Sequence, residues 1–170
     1  MNGNKATGNG GAIHFTTGSV GLIENSVVWG NQDTSGTGTA SASLNPIAST
    51  VTISTSLVQG SGGSGGSWVG SLGSDGGGNL DQDPLFTAGI SPSAAPTSTA
   101  NLFLSSSSPA IDTANSTSCA TADIRNMSRP QLNGCDMGLF ERTQQITATM
   151  SLTNNQAALY ATWMGVGHES

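Results

Sequence analysis

Apolar residues in this chain come in short bursts, alternating or paired, and each burst is cut off by glycine or asparagine. Ile13-His14-Phe15 alternates, Val20-Gly21-Leu22 leads into Ile23-Glu24-Asn25, and Ser26-Val27-Val28-Trp29 stops at Gly30-Asn31. Period-two bursts bounded by Gly and Asn predict strands joined by tight corners. Gly10-Gly11 and Gly18 mark the turns between them. The Gly3-Asn4 ending returns at Gly30-Asn31 and, more loosely, at Gly60-Ser61, in steps of 27 and 30 residues, and Thr52 to Gly60 repeats the cadence of Leu22 to Gly30.

A period of this length with strand-turn-strand content predicts a solenoid. The expected fold is all-β, a right-handed parallel β-helix. One coil cannot bury its own apolar face, but coils stacked about 4.8 Å apart join their backbones around an Ile/Val/Leu interior. Asn25, Asn31 and Asn79 are expected in the corners, bonded to backbone groups. Gln32 to Thr50 is polar and reads as a loop thrown out from a corner. Gly60 to Gly78 reads as another, with Trp68 either folded back on the coils or exposed as a sugar-stacking platform. Ser91 to Thr99, with Pro92 and Pro96, precedes a strand at Asn101-Leu102-Phe103-Leu104.

Residues 1–104 are thus expected to be coils with inserted loops, and 105–141 a C-terminal cap that closes the stack. Residues 142–170 are expected to form a tail strand or the truncated start of a following domain. Ile146 to Leu152 alternates like a half-buried strand, Asn154-Asn155 suggests a turn, and the apolar run Ala157 to Val166 is too short to span a bilayer. An open coil end exposes unpaired backbone and needs a cap of different composition. Ser108-Pro109 suits one, since proline cannot donate to a ladder. Asp112, Asp123 and Asp136 are expected to accept from freed backbone N–H groups or to pair with Arg125 and Arg129, with Glu141 completing the cap.

Charge is scarce: 8% of 170 residues, net −6, with Lys5, Arg125, Arg129 and Arg142 the only cations. Globular proteins carry roughly 25%. Without a basic patch, nucleic acid and anionic lipid are poor partners, and no apolar window is long enough for membrane insertion by this segment. Cys119 and Cys135 lie too far from His14 and His168 in sequence to suggest a zinc site. In a Lys-poor, Ser/Thr/Asn-rich chain they read as a disulfide formed in an oxidising location, with two buried thiols as the alternative. Closing that loop is worth about 3 kcal/mol in the chain-entropy model. Met1 runs into Asn2-Gly3-Asn4-Lys5 with no secretory pattern, so an exported chain is expected to start downstream of its signal, as a piece of something longer.

Several motifs in order carry a resemblance: Gly78-Asn79-Leu80-Asp81-Gln82-Asp83-Pro84-Leu85-Phe86, Ser108-Pro109-Ala110-Ile111-Asp112, Asp123-Ile124-Arg125, Arg129-Pro130, and Cys135-Asp136-Met137-Gly138-Leu139-Phe140-Glu141. From Gly10 to Glu141 the chain resembles the choice-of-anchor Q domain proteins, which are similar to the repeat regions of polymorphic outer-membrane proteins. The resemblance implies a bacterial surface or secreted right-handed parallel β-helix. It carries over no catalytic residues, and the chain departs from the pattern at its end, where no sorting signal or anchor is apparent.

Asn79-x-Asp81-x-Asp83 is the best candidate for chemistry. Alternate strand positions stand about 7 Å apart on one face, within the range of about 6.5–9.5 Å used by inverting glycosidases. Glu24 or Asp33 from adjacent coils would complete such a groove. Against this, Pro84 follows at once, and no cation lies between Lys5 and Arg125 to serve a lyase. For calcium, Gly76-Gly77-Gly78-Asn79-Leu80-Asp81-Gln82-Asp83 half-matches a β-roll repeat, yet only one copy is present, and an EF-hand would need glycine at Pro84. Asn79, Asp81 and Asp83 therefore read first as a corner whose aspartates cap backbone N–H groups. His14 is expected to face solvent. Asn115-Ser116-Thr117 and Asn126-Met127-Ser128 match the N-glycosylation pattern, as chance allows in this composition.

The expected function is a non-catalytic cell-surface or secreted scaffold of adhesin type, needing no cofactor, with polysaccharide or surface proteins as partners. The alternative is a polysaccharide-cleaving β-helix enzyme using Asp81 and Asp83. A phage or extracellular-matrix structural element would share the fold.

Overall fold

The glycine and asparagine stops are corners. In the computed structural model, which describes residues 1–143 and the backbone of residues 147–153 and 156–162, Gly3, Gly30 and Gly60 take φ of 73°, 66° and 77°. A Cβ on Gly60 would stand 2.6 Å from the Ala40 nitrogen, so conformation and space both select glycine there. A second corner holds Asn25 and Thr55 at φ 51° and 40°, and a third holds Gly18 and Ala48 at 82° and 43°.

Between these corners run β1 (Ile13–Phe15), β2 (Val20–Glu24) and β3 (Val27–Val28). A small hairpin, β4 (Gln32–Asp33) with β5 (Gly36–Thr37), and the one-turn helix α1 (Ala40–Ser43) lead into the second pass. That pass consists of β6 (Leu44–Pro46), β7 (Thr50–Ser54) and β8 (Leu57–Val58), and β9 (Ser74–Asp75) follows on a third. All pairing between passes is parallel: Ile13 opposite Leu44, Val20 opposite Thr50, Val27 opposite Leu57 and Thr52 opposite Ser74. Isolated parallel bridges extend the ladders from Leu57 to Leu80, and from Trp29 and Gln32 back to Asn2 and Lys5. The class is all-β.

The Gln32 to Thr50 stretch is not a plain loop. Thr39 accepts the Ala42 N–H as the N-cap of α1, and Leu44 to Pro46 is a full side of the second pass. A single apolar residue, Leu44, buries that side, too little to give a periodic signal. The phase of β2 also differs from an interior of every Ile, Val and Leu. Ile23 points inward, while Val20 and Leu22 are 83% and 67% exposed. Gly21 takes the other inward position because the Phe15 ring lies 2.5 Å from where its Cβ would be.

Two cores share one wall. Ile23, Val28, Leu44, Val51, Ile53 and Val58 fill the space inside the passes, closed below by Trp68, Val69 and Leu72 from the glycine-rich loop. The neighbouring residues Val27 and Leu57 face the other way and pack with Ala110 and Met137, joined by Trp29, Leu80, Phe86 and Leu104. The β3–β8 ladder is therefore buried on both faces, which explains its unbroken Val-Val and Leu-Val pairs. Each such side chain contributes roughly 1.5–3 kcal/mol by leaving water.

The second core relocates the C-terminal segment. It leans along the flank of the stack, covering the Val27 and Leu57 row, and reaches the first pass, where Gly138 N–H donates to the Asn25 carbonyl and Asn115 N–H to Asn25 Oδ1. The far end is closed instead by Trp68, whose indole N–H donates to the Gly73 carbonyl. Between stack and flank, β10 (Phe86–Ala88) and β11 (Asn101–Leu104) pair antiparallel, so the Asn101 to Leu104 strand belongs to the flank rather than to the parallel ladders.

In the tail, β12 (Thr147–Thr153) and β13 (Gln156–Thr162) pair antiparallel. The strand expected from Ile146 is present from Thr147. Ile146 itself, the turn at Asn154-Asn155, the end of the apolar run after Thr162 and His168 lie outside the described residues. Among the described residues no helix is long and apolar enough to cross a membrane.

Candidate functional site

The candidate acidic motif sits where the third pass leaves the stack, and its three members go to three different places. No strand spans it, so the shared face expected of alternate strand positions does not form; only Leu80 bridges to Leu57. Asn79 turns inward, 3% exposed. Its Oδ1 accepts the Ser56 N–H at 3.1 Å, and its Nδ2 donates to the Ile53 carbonyl at 2.7 Å and to Asp75 Oδ1 at 2.8 Å. Asp81 turns to the Gly60 corner, where Oδ1 accepts from Gly60 at 3.0 Å and Oδ2 from Gly62 at 2.8 Å. Asp83 is exposed and accepts the Leu85 N–H at 2.8 Å, fixing the turn into β10.

The position of Asp81 has a counterpart one pass earlier. Gln59 Oε1 accepts the N–H of Gly30 at 2.8 Å, as Asp81 Oδ1 does for Gly60. A left-handed corner interrupts the ladder and frees an N–H, and a side chain from the following pass takes it. Ser56 Oγ and Asn79 Oδ1 do the same at the other corner for Ser26 and Ser56, and Asn31 Oδ1 does it for Asn4. The corner roles expected for Asn25, Asn31 and Asn79 are all seen.

Sequence reasoning missed Asp75. Its carboxylate is the hub of the glycine-rich loop, accepting from Ser64 Oγ and Gly65 N at 2.8 Å each and from Gly77 N at 2.9 Å. The Gly65 and Gly77 amides, with Ser64 and Asn79, outweigh desolvation and hold its pKa at about 2. The signal was available: an aspartate directly before Gly76-Gly77 is an Asx-turn pattern.

The proposed partners of a catalytic groove do not converge. Glu24 Oε1 accepts from Asn115 Nδ2 at 3.0 Å, and Asp33 is buried, accepting the Ser35 N–H at 2.8 Å. Among the described residues no three His, Cys, Asp or Glu side chains come together as metal ligands. His14 is exposed, as expected, with Nδ1 against Asn45 Nδ2 at 3.2 Å.

The flank gathers most of the remaining charge. Glu141, 1% exposed, accepts from Gln131 N at 2.9 Å and Asp136 N at 3.0 Å, with Arg129 Nε 3.4 Å away. Asp136 accepts from Asp112 N at 2.9 Å and Arg142 N at 2.6 Å. Burial, and the nearby Glu141 and Asp112 charges, push its pKa up against those two amides. Asp112 stands at φ 56° and accepts from Gly134 N at 3.0 Å. Burial works to raise Asp123, but the Arg125 guanidinium and the amides of Glu141, Met127 and Arg125 prevail and hold it well below the usual carboxylate range. Cys119 and Cys135 form a disulfide.

One polar–aromatic face opens to solvent. Arg125 lies 4.9 Å from the Phe103 ring centre and 5.2 Å from that of Phe140, with the rings edge to face at 4.6 Å. They border a cleft of about 390 Å³ together with Arg142 and Ser106. A larger apolar cavity of about 580 Å³ lies between the first pass and the flank, lined by Leu22, Ile23, Leu102, Leu104, Leu139 and Phe140. In comparisons with family models, curated proteins and solved structures, none matches this chain.

Proposed function

We propose that the chain is a right-handed parallel β-helix of the choice-of-anchor Q kind, acting as a non-catalytic scaffold on a bacterial surface or in secretion. Parallel ladders between residues thirty apart and three recurring left-handed corners support the β-helix reading. The disulfide supports an oxidising, extracellular setting.

One observation carries the non-catalytic reading. Asp81, the strongest catalytic candidate, does for Gly60 what Gln59 does for Gly30. One oxygen meets a backbone need that the Gln59 amide meets one pass earlier, and the second takes the Gly62 N–H as well. Both oxygens are engaged by backbone amides. In this reading glycans or surface proteins are held by the outer faces. The Arg125–Phe103 face is the best-equipped of these, with an apolar ring for stacking beside a cation.

A panel of acidic and neutral polysaccharides, scored for retention and for new chain ends, with and without calcium, tests the proposal. Retention without new ends is expected, unchanged in the Asp81→Asn, Asp83→Asn double variant. New chain ends that disappear in that variant would replace the scaffold with a glycan-cleaving enzyme. A calcium requirement lost with the same residues would make Asn79, Asp81 and Asp83 a metal site.

A further inference from the structure

The cleft of about 390 Å³ on the flank gathers charge of one sign. Arg125 and Arg142 both line it, two of only four cations in the sequence. The carboxylates bonded around them turn away from water. The Asp123 side chain is buried, and Glu141 points inward to the amides of Gln131 and Asp136 and to Arg129. The cleft thus offers its cations to solvent and keeps its anions inside.

Arg125 is fixed before any ligand arrives. Its Nε and Nη2 donate to Asp123, and Nη2 donates also to the Glu141 carbonyl. One edge of the guanidinium is used in this way, and among the described residues Nη1 has no acceptor. The same group lies 4.9 Å from the centre of the Phe103 ring, and Phe103 is 39% exposed. Arg142 is held through its backbone N–H, which donates to Asp136, and its guanidinium makes no ion pair among the described residues.

We infer that this cleft binds a carboxylated sugar at the end of a glycan, an inference that rests on the reading above of glycans held by the outer faces. The exposed Phe103 ring offers an apolar surface for the C–H face of a sugar ring. The free Arg125 edge and Arg142 offer charge-assisted donors to its carboxylate, and guanidinium groups suit that planar acceptor. A volume near the small end of ligand pockets fits a chain end rather than an extended polymer. Overall charge points the same way. At net −6 the protein repels a long polyanion, whereas a chain end brings few charges.

The test is isothermal titration calorimetry of the full chain with short sugars in matched pairs: trigalacturonate against its methyl ester, and sialyllactose against lactose. In at least one pair the carboxylated member should bind about tenfold more tightly, since its neutral counterpart cannot form the charge-assisted bond. Which pair responds separates uronic from sialic acids. Arg142→Gln should erase the preference and leave the urea midpoint unchanged, because the fold uses only the backbone N–H of this residue. Phe103→Ala should weaken binding of the carboxylated sugar about tenfold, and Phe103→Tyr, which keeps the ring, should restore it. No carboxylate preference in either pair would overturn the inference. A preference that survives both Arg142→Gln and Phe103→Ala would overturn it equally, by placing the site elsewhere. Either failure leaves the scaffold reading intact, since that reading falls only when new chain ends appear in the polysaccharide panel.

Discussion

The stack and the flank both leave backbone groups that need partners, and they satisfy them with different chemistry. From Ile13 to Leu80 the parallel ladders take most of the N–H and C=O groups, and at two of the three corners a neutral or singly charged side chain collects the leftover: Asn31, Ser56, Gln59, Asn79 or Asp81. From Pro84 to Arg142 the only strand pair is β10–β11. Here carboxylates do the work of a ladder. Asp123 accepts five donors across its two oxygens, the backbone N, Nε and Nη2 of Arg125 and the amides of Met127 and Glu141, while Glu141 and Asp136 accept two amides each. A carboxylate is well suited to an irregular segment because its two oxygens offer about four acceptor sites without supplying a donor of their own. That is how Asp112, Asp123, Asp136 and Glu141 hold together a segment with little ladder of its own.

The contrast predicts unequal damage from removing one acceptor. In the flank, Glu141→Ala strands the Gln131 and Asp136 amides and leaves Arg129 buried without its counter-charge. Breaking a buried pair in this way costs about 3–5 kcal/mol. Urea denaturation should show that loss, with hydrogen-exchange protection falling first between residues 108 and 142. If protection falls equally across β2 and β7, stack and flank are one cooperative unit.

Next in size is the disulfide. The stack is tied by register, the flank by the covalent link between Cys119 and Cys135. Replacing both by serine should lower stability by about 3 kcal/mol on the chain-entropy model, with loosening confined to the loop they close. Thermal melts of the two forms, read with exchange protection at Ile53 and Met137, check both size and place.

Much of the stack was legible in sequence because its requirements are local. Only glycine suits Gly60, whose φ is 77° and whose Cβ would meet Ala40, so the Gly3, Gly30 and Gly60 series was visible as a repeat. Alternation gave the β2 strand but not its phase, since period two does not say which set faces inward. Val20 and Leu22 outside, with Gly21 inside, depends on the Phe15 ring from another side of the same pass. The Leu44–Pro46 strand was hidden because one leucine suffices where its neighbours are small. The flank's acidic residues could be read as amide acceptors, but their place could not. Val27 and Leu57 look like any interior pair, and only the tertiary structure turns them away from the Ile23–Ile53 core toward Ala110 and Met137. Within the candidate site, reading Asp81 as an N–H cap anticipated its bonds, whereas Asp75 was passed over inside a glycine-rich run.

Acid should separate the regions by sign. Asp75 in the stack has its pKa lowered from 3.8 to about 2, so its contribution is present above about pH 4 and is lost as pH falls through about 2. Asp123 in the flank shifts the same way. Asp136 shifts upward, so its ionised form disfavours the fold, and that penalty is relieved as pH falls toward the carboxylate range. The flank should therefore firm slightly in mild acid before failing, while the stack only loses. Urea midpoints across pH, read from Trp29 against the flank and Trp68 at the stack end in single-tryptophan variants, test this. Parallel curves for the two reporters would remove the distinction.

The smallest effect bears most directly on function. If Asp81 is a corner acceptor like Gln59, then Gln59→Ala should cost about 1–3 kcal/mol for its freed amide, with the lower end expected at these partly exposed corners, and Asp81→Ala, which frees both Gly60 and Gly62, at least as much. Asp81→Asn should recover part of the loss, because its one amide oxygen can still accept from Gly60, as the Gln59 oxygen does from Gly30, while its NH2 cannot accept from Gly62. Asp83→Asn, on an exposed turn, should stay within about 0.5 kcal/mol of the parent. Equilibrium denaturation of the four variants ranks them. A carboxylate held for chemistry would break the ranking in a recognisable way. Asp81→Asn would then leave stability intact, or even raise it, while removing a measurable activity, and Gln59→Ala would have no such consequence. Costs at both Gln59 and Asp81, with partial rescue of Asp81 by asparagine, would instead place both residues in one structural series running down the corner of the stack.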